Sequence, residues 1–218
     1  MSDAYSPKLS SFIISQLEQD AIDAALKTDA PWDHDSVTLR PYKETLISLK
    51  KRIREFHLIR HNQTCCYCSK NFHGEFSYVI DREHILPKGD FSTLSYAIGN
   101  LAAACKRCNM KIKKADVSFV IDIETILEDY ENPQRYQIIH PNFDKFSDHI
   151  EKTEVIFSKE KKLVRYNVKN ESEKGISHRK YFEFSELEVN NFDVAQGGSE
   201  SSQEFAELVT VLAQRFAQ

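Results

Sequence analysis

The sequence has no long apolar run and no cysteine outside one short window. No stretch approaches the roughly 20 apolar residues that a bilayer-spanning helix needs. Residues 1–11 lack the basic segment and apolar core that mark a signal peptide. These absences predict a cytoplasmic protein with no membrane segment. Hydrophobic residues make up 41% and charged residues 28% of the chain, which favours a globular protein over a disordered one.

The cysteines form two closely spaced pairs, Cys65 with Cys68 and Cys105 with Cys108. In a Cys-x-x-Cys pair both sulfurs can turn toward one ion, and two such pairs make a tetrahedral site of the structural zinc type. In a reducing compartment, metal binding is favoured over disulfides. We therefore expect these four residues to bind Zn²⁺. Cys66 is left over, since its spacing to Cys68 is unfavourable; the alternative for all five is unrelated buried cysteines.

The net charge of −4 is distributed unevenly along the chain. Residues 1–39 carry two Lys or Arg and seven acids, a net −5, and residues 115–218 carry twelve and twenty, a net −8. Residues 40–114 carry fifteen Lys or Arg and six acids, a net +9. A concentrated positive field of this kind suits a polyanion such as nucleic acid. The alternative is a solvated basic face that pairs with the acidic flanks.

Hydrophobic periodicity predicts a mixed α+β fold with helical ends. Apolar residues recur at helical spacing over 8–27 and 42–60, and the second of these helices carries basic residues on its other face, among them Lys50 and Arg60. Residues 153–158 and 162–168 predict a hairpin. The stretch 117–130 fits either helix or strand. Further helices are expected at 177–190 and 205–216, with a linker at 193–203.

An acid and an imidazole, Glu83 and His84, stand side by side in the segment DREHILPKG at 81–89. Phosphodiester hydrolysis needs a base with a near-neutral pKa and a cation for the developing charge. The unperturbed pKa of histidine suits His84 to the first role, and the carboxylate of Glu83 suits the second. Two solvated side chains at the end of a strand are the alternative.

Five features in order over residues 60–115 resemble the zinc-knuckle branch of the HNH endonucleases: Cys-x-x-Cys, Glu-His-Ile-x-Pro, Asn-Leu, Cys-x-x-Cys-Asn and a run of lysines. That family builds its active site on a ββα-metal fold of two strands, a loop and a helix. The resemblance implies that His84 is the general base, that Asn100 holds the loop and orients the base, and that Glu83 and Asn109 bind the catalytic ion. Asn109 stands where many members have His. An all-oxygen pair favours Mg²⁺ or Mn²⁺.

Basic side chains surround these positions, and no acid occurs from 101 to 114. Contacts of this kind position a nucleic-acid backbone without reading its sequence. A solvated helix face is the alternative. The expected phosphate contacts are Lys88, Lys106, Arg107, Lys111, Lys113 and Lys114.

The expected layout is a central ββα-metal HNH unit with two zinc knuckles in one α+β body. A helical N-terminal region covers residues 1–60, the HNH core covers 61–116, and an accessory region of helix and hairpin covers 117–218.

A second resemblance concerns HPNFDKFSDHIEK at 140–152. It is similar to a segment after the HNH core in the nuclease subunit of Septu-type (PtuB-like) anti-phage systems, which implies an ABC-like ATPase partner. The expected function is a metal-dependent endonuclease in anti-phage defence, with DNA the favoured substrate. The alternatives are a catalytically inactive, zinc-stabilised nucleic-acid-binding module and an effector RNase that acts on tRNA with the same site.

Overall fold

A computed structural model describes residues 3–36, 42–156 and 162–190. Helices and two small sheets make up the described part, which confirms the predicted α+β class. The chain divides into one unit of Met1–Glu151 with Val168–Phe184 and a second of Lys152–Asn167 with Ser185–Gln218. The division into regions 1–60, 61–116 and 117–218 stays a prediction.

Two helices build the N-terminal part of the first unit, α1 (Gln16–Leu26) and α2 (Lys43–Arg60). The Ser15 hydroxyl accepts the Glu18 N–H, and the Glu18 carboxylate accepts the Ser15 N–H, so a capping box starts α1. The predicted helix at 8–27 is therefore shorter than expected, and only a 3₁₀ turn, Leu9–Ser11, precedes it. The buried cluster that both helices share is Ala21, Ile22, Ala25, Trp32, Leu46, Leu49, Ile53, Tyr96 and Leu101.

Two side chains predicted on the basic outer face of α2 are buried instead. The Lys50 ammonium donates to the Trp32 carbonyl and pairs with Asp35. The Arg60 guanidinium pairs with Asp3 at 2.8 Å. A buried charge persists only when an opposite charge compensates it, and both partners come from the acidic N-terminal segment. The outward-facing prediction for these two residues was wrong.

A two-stranded antiparallel sheet lies at the centre of the first unit. Strand β1 (Ile80–His84) pairs with β2 (Leu101–Cys105), with Ile80 opposite Cys105 and His84 opposite Leu101. A π-helix, Arg107–Lys113, follows β2. Its hydrogen bonds span five residues instead of four: the Lys114 N–H donates to the Asn109 carbonyl at 2.7 Å. Two strands, a loop and a helix are the arrangement that the HNH resemblance implies.

The later part of the chain departs from some expectations. Residues 117–130 form turns with one short 3₁₀ segment, Ile126–Glu128, and neither a helix nor a long strand. Helix α3 is Phe146–His149, and α4 (Glu173–Tyr181) ends well before residue 190, so the predicted helix at 177–190 was wrong in its second half. Strands β3 (Ile150–Ile156), β4 (Lys162–Val168) and β5 (Val189–Asn190) form a sheet in that order, which confirms the hairpin. The predicted linker at 193–203 and helix at 205–216 lie outside the described residues.

Each helix in the described part of the chain is too short or too polar to span a bilayer.

Side chains that follow the β1–β2 sheet in the sequence hold it in place. The Asn142 amide donates to the carbonyls of Gly99 at 3.0 Å and Leu101 at 2.8 Å. His178 accepts the Ile139 N–H on Nδ1 and lies 2.8 Å from the Tyr67 carbonyl through Nε2. The residues after 116 therefore hold the turn around Tyr67 and the start of β2 in place.

The buried His140 generates a test of stability against pH. Its Nδ1 accepts the Asn142 N–H at 3.2 Å, and burial lowers its pKa to about 3. The unfolded chain keeps a histidine pKa near 6.5 and binds the extra proton first, so stability falls as the pH drops from about 6.5 toward 3. His140→Asn retains a hydrogen-bond acceptor but cannot titrate. We expect the loss of unfolding free energy between pH 7 and pH 5 to be smaller by about 2 kcal/mol in the variant, measured by urea unfolding; equal losses would contradict the assignment.

Candidate functional site

Four buried cysteine sulfurs form a group with the dimensions of a zinc site. The Sγ atoms of Cys65, Cys68, Cys105 and Cys108 all lie within 4.8 Å of one another, and those of Cys68 and Cys105 are 3.8 Å apart. A tetrahedron with Zn–S bonds of about 2.3 Å has edges of about 3.8 Å. The group therefore fits a tetrahedral metal ion, and its all-sulfur donor set favours zinc.

The first Cys-x-x-Cys pair, Cys65 and Cys68, lies in a tight turn between the end of α2 and the β1–β2 sheet. We call each such pair, with its turn, a knuckle. A bridge between Thr64 and Asn71 closes the turn, and the Cys65 N–H donates to the Lys70 carbonyl at 2.9 Å. The Cys105 N–H donates to the Cys65 sulfur at 3.3 Å, which supports negative charge on that sulfur. The Cys66 N–H donates to the Ala103 carbonyl at 2.9 Å and ties the knuckle to β2.

The fifth cysteine, Cys66, is buried but lies outside the four-sulfur group. Burial raises the pKa of its thiol well above the ordinary value, so it stays protonated. All five cysteines lie in the described part of the chain, and none of them forms a disulfide.

His84 ends β1, and its ring is fixed from two sides. The Nε2 atom lies 3.1 Å from the Ser95 carbonyl oxygen, and the Trp32 ring meets the imidazole edge-on with centroids 4.5 Å apart. A carbonyl can only accept, so Nε2 carries the proton and Nδ1 carries the lone pair. Burial, with help from the nearby Lys88 and Lys113 charges, lowers the His84 pKa to about 4. The ring is therefore neutral at pH 7 and able to accept a proton on Nδ1.

Asn100 ties together both ends of the loop that follows β1. Its Oδ1 accepts the Leu86 N–H at 2.8 Å, and its Nδ2 donates to the carbonyls of Leu86 at 3.1 Å and Leu94 at 3.4 Å. Leu94 immediately precedes Ser95, whose carbonyl contacts His84. Asn100 thus supports, through this loop, the group that fixes the His84 tautomer.

Glu83 points to the other face of β1, where an ammonium neutralises it. Its Oε1 lies 2.9 Å from Lys113 Nζ and accepts the Tyr67 hydroxyl at 2.9 Å. Lys113 Nζ also donates to the His84 carbonyl at 2.9 Å, and the side chains of Glu83 and Lys113 are each only 1% exposed. Burial raises the Glu83 pKa, and the Lys113 charge opposes that shift. A divalent ion at Glu83 would therefore compete with this ammonium.

Asn109, the second predicted ion ligand, contacts Asp81 rather than Glu83. Its Nδ2 donates to Asp81 Oδ2 at 3.1 Å, and Lys106 Nζ lies 3.2 Å from Asp81 Oδ1. The predicted pair, Glu83 and Asn109, is thus engaged by two different partners. Sequence reasoning missed Asp81, although its two-residue spacing from Glu83 places both carboxylates on one face of β1. Asp81 and Asn109 are side by side, and both offer oxygen atoms of the kind that Mg²⁺ and Mn²⁺ prefer.

The predicted phosphate contacts differ in how they are placed. Lys111 and Lys114 are exposed. Lys88 is partly exposed and pairs with Asp33 at 2.5 Å. Lys113 is buried against Glu83 and does not reach the surface.

Arg107, a further predicted phosphate contact, is hydrogen-bonded to the end of α4. Its guanidinium donates to the carbonyls of Phe182 at 2.8 Å and Glu183 at 3.0 Å. In the described structure this side chain serves as a link between the π-helix and α4.

The family model of the HNH endonucleases matches residues 65–114. Residues 65–114 thus match an HNH endonuclease domain, and we call this segment the HNH domain. The match spans both knuckles, strands β1 and β2 and the π-helix, roughly a quarter of the chain. It confirms the resemblance inferred from the motifs. Comparisons with curated proteins and with solved structures gave no significant match. The Septu-type resemblance gains no support from these comparisons.

The four-sulfur group of the HNH domain predicts the effect of losing one thiolate. Cys105→Ser should abolish stoichiometric zinc and lower the thermal unfolding midpoint, because structural zinc contributes folding free energy. The matched control is Cys66→Ser, a buried cysteine outside the group, which should keep one zinc per chain. Elemental mass spectrometry and thermal unfolding measure both properties. Full zinc occupancy in Cys105→Ser would refute the four-cysteine assignment.

Proposed function

We propose that this protein is a metal-dependent HNH endonuclease that hydrolyses phosphodiester bonds, with DNA as the favoured substrate. The observation that carries the proposal is the state of His84. It is a neutral imidazole at the end of β1, with Nε2 on the Ser95 carbonyl and the Nδ1 lone pair left to accept a proton. The basic region 40–114, which contains the domain, supports a polyanionic substrate.

His84 acts as the general base in this proposal. A water molecule beside Nδ1 would lose a proton to the ring as its oxygen bonds to the phosphorus. The phosphorus–oxygen bond to the leaving oxygen would break, and that oxygen would take a proton from solvent. The Ser95 carbonyl stabilises the imidazolium that forms, since Nε2–H donates to it in both protonation states. An approaching phosphate brings negative charge, which raises the depressed His84 pKa toward neutrality and improves the match to the working pH.

Neighbouring residues position this base. The edge-on Trp32 ring limits rotation of the imidazole. Asn100 holds the loop that presents the Ser95 carbonyl. Lys113 holds the His84 backbone carbonyl, so the end of β1 is fixed by a charged group on its opposite face.

The resemblance implies Mg²⁺ or Mn²⁺ in the reaction, with Glu83 and Asn109 as the proposed ligands. Such an ion, when bound, neutralises charge on the phosphate oxygens. The neighbouring Asp81 carboxylate adds an oxygen donor beside Asn109. In this proposal the zinc has a structural role and the divalent ion binds separately.

A role in anti-phage defence with an ABC-like ATPase rests on the sequence of residues 140–152. In the structure, His140 and Asn142 from this segment are buried, and Asn142 holds Gly99 and Leu101 of the HNH domain. A structural role therefore accounts for these two residues. Copurification of an ATPase with the native protein is the test of the partnership.

The base assignment predicts the effect of His84→Ala on cleavage. The variant should cut at least about 100-fold more slowly, since a positioned base contributes 10²–10⁴ to the rate, and should keep its zinc. The substrates are supercoiled plasmid, single-stranded DNA and tRNA, with Mg²⁺ or Mn²⁺. The matched control is His73→Ala, an exposed histidine of the same domain, which should cut like the parent.

Three other outcomes of this assay have distinct meanings. Equal rates for the parent and His84→Ala would rule out His84 as the base. Cleavage of tRNA alone would make the protein an RNase. Tight binding without cleavage under either ion would identify a nucleic-acid-binding module.

A further inference from the structure

The HNH domain exposes two aromatic rings just before β1. Phe76 and Tyr78 are each 71% exposed, their ring centroids are 6.2 Å apart, and their planes differ by 27°. Aromatic side chains bury large areas when they contribute to a core. This pair contributes little to the core, and neighbouring exposed apolar side chains of this kind mark interaction sites.

The aromatic pair continues into the exposed side of the π-helix. Lys106 Nζ lies 4.5 Å from the centroid of the Tyr78 ring and 3.5 Å from the sulfur of Met110, which is also exposed. We call Phe76, Tyr78, Lys106 and Met110 the aromatic–basic patch. It combines flat apolar faces with a cation, and none of its members has a role in the chemistry assigned to His84.

The charge around the aromatic–basic patch favours an anionic partner. The acids beside it are each paired with a lysine: Glu75 with Lys70 at 3.2 Å, and Asp81 with Lys106 at 3.2 Å. Residues 101–114 contain no acid, and Lys111 and Lys114, which follow Met110 in the sequence, are exposed. The surface therefore attracts a polyanion, and its flat rings provide contacts that a phosphate backbone alone does not need.

We propose that the aromatic–basic patch binds unpaired bases of a single-stranded nucleic-acid segment. Proteins that bind single strands combine a cationic surface for the phosphates with aromatic side chains on which bases stack. In a duplex the base faces are stacked on one another and cannot reach Phe76 or Tyr78. This inference rests on the proposed nuclease function and narrows its substrate class to nucleic acid with an unpaired segment.

The position of the patch on the domain suits this role. It adjoins the first residue of β1, whereas His84 is the last, and a five-residue strand spans roughly 13 Å between these ends. One nucleic-acid strand is long enough to contact both the patch and the base if it passes from the π-helix side of β1, where Lys106 lies, to the side of His84. The patch would hold bases a few nucleotides away from the bond that is cut.

Equilibrium binding to three fluorescent probes tests the proposal. They are a single-stranded thymidine 12-mer, an abasic strand of the same length and a blunt duplex, each titrated with full-length protein without added divalent ion. The double variant Phe76→Ala/Tyr78→Ala is compared with the parent and with Ile59→Ala, a control on α2 whose side chain is 60% exposed. Circular dichroism and zinc content confirm that each variant is folded.

We expect the parent to bind the thymidine strand more tightly than the abasic strand. The double variant should lose about 10- to 100-fold of that affinity, in line with the value of base–aromatic stacking. Its binding to the abasic strand and the slope of affinity against salt should be unchanged, because Lys106 remains. Ile59→Ala should bind all three probes like the parent.

Other results would overturn the inference. Equal affinity of the parent for the thymidine and abasic strands would do so, as would unchanged binding by the double variant. A parent dimer that dissociates in the double variant, with unchanged binding to all probes, would assign the patch to self-association. In each of these cases His84-dependent cleavage would leave the nuclease proposal intact. Failure of the parent to bind any probe, together with no cleavage, would overturn both.

Discussion

Four cysteine sulfurs packed within 4.8 Å of one another could hold one metal ion, and a cation at their centre is what would let all four be thiolates in a buried site. These sulfurs come from the turn after α2, the end of β2 and the π-helix. One ion bound to all four would connect these three elements of the HNH domain. The register of β2 against β1 fixes His84, so in the proposed mechanism the base would depend on a metal that has only a structural role.

Strand β1 separates two kinds of chemistry by its alternation. His84 lies on the face with Trp32 and the Ser95 carbonyl, whereas Asp81 and Glu83 lie on the face toward the π-helix. The Lys113 ammonium connects the two faces, because it pairs with Glu83 and donates to the His84 carbonyl. A change in the charge at Glu83 would therefore alter the position of Lys113 and, through its hydrogen bond to the His84 carbonyl, the position of the proposed base. A divalent ion near Glu83 must either displace Lys113 or bind beside it.

Local patterns in the sequence predicted the four-cysteine group, α2, the β3–β4 hairpin and the HNH domain. Each of these predictions rests on residue spacing or hydrophobic periodicity, which can be recognised within a short stretch of sequence. The burial of Lys50 and Lys113 was missed, because it depends on Asp35 and Glu83, which are distant in sequence. Ser95 acts through its backbone carbonyl, so its side chain gives no signal. Residues 117–130 contain β-branched residues at helical length, and the chain there forms turns that neither pattern describes.

X-ray absorption at the zinc edge of the purified protein tests the four-thiolate zinc centre, and its separation from the proposed catalytic ion, most directly. Four sulfur ligands at about 2.3 Å are expected, with a spectrum that does not change when Mg²⁺ or Mn²⁺ is added, because the proposed catalytic ion would bind elsewhere. Nitrogen or oxygen atoms in the first coordination shell would contradict the four-thiolate centre. A zinc spectrum altered by added Mg²⁺ or Mn²⁺ would contradict the separation of the structural and catalytic ions.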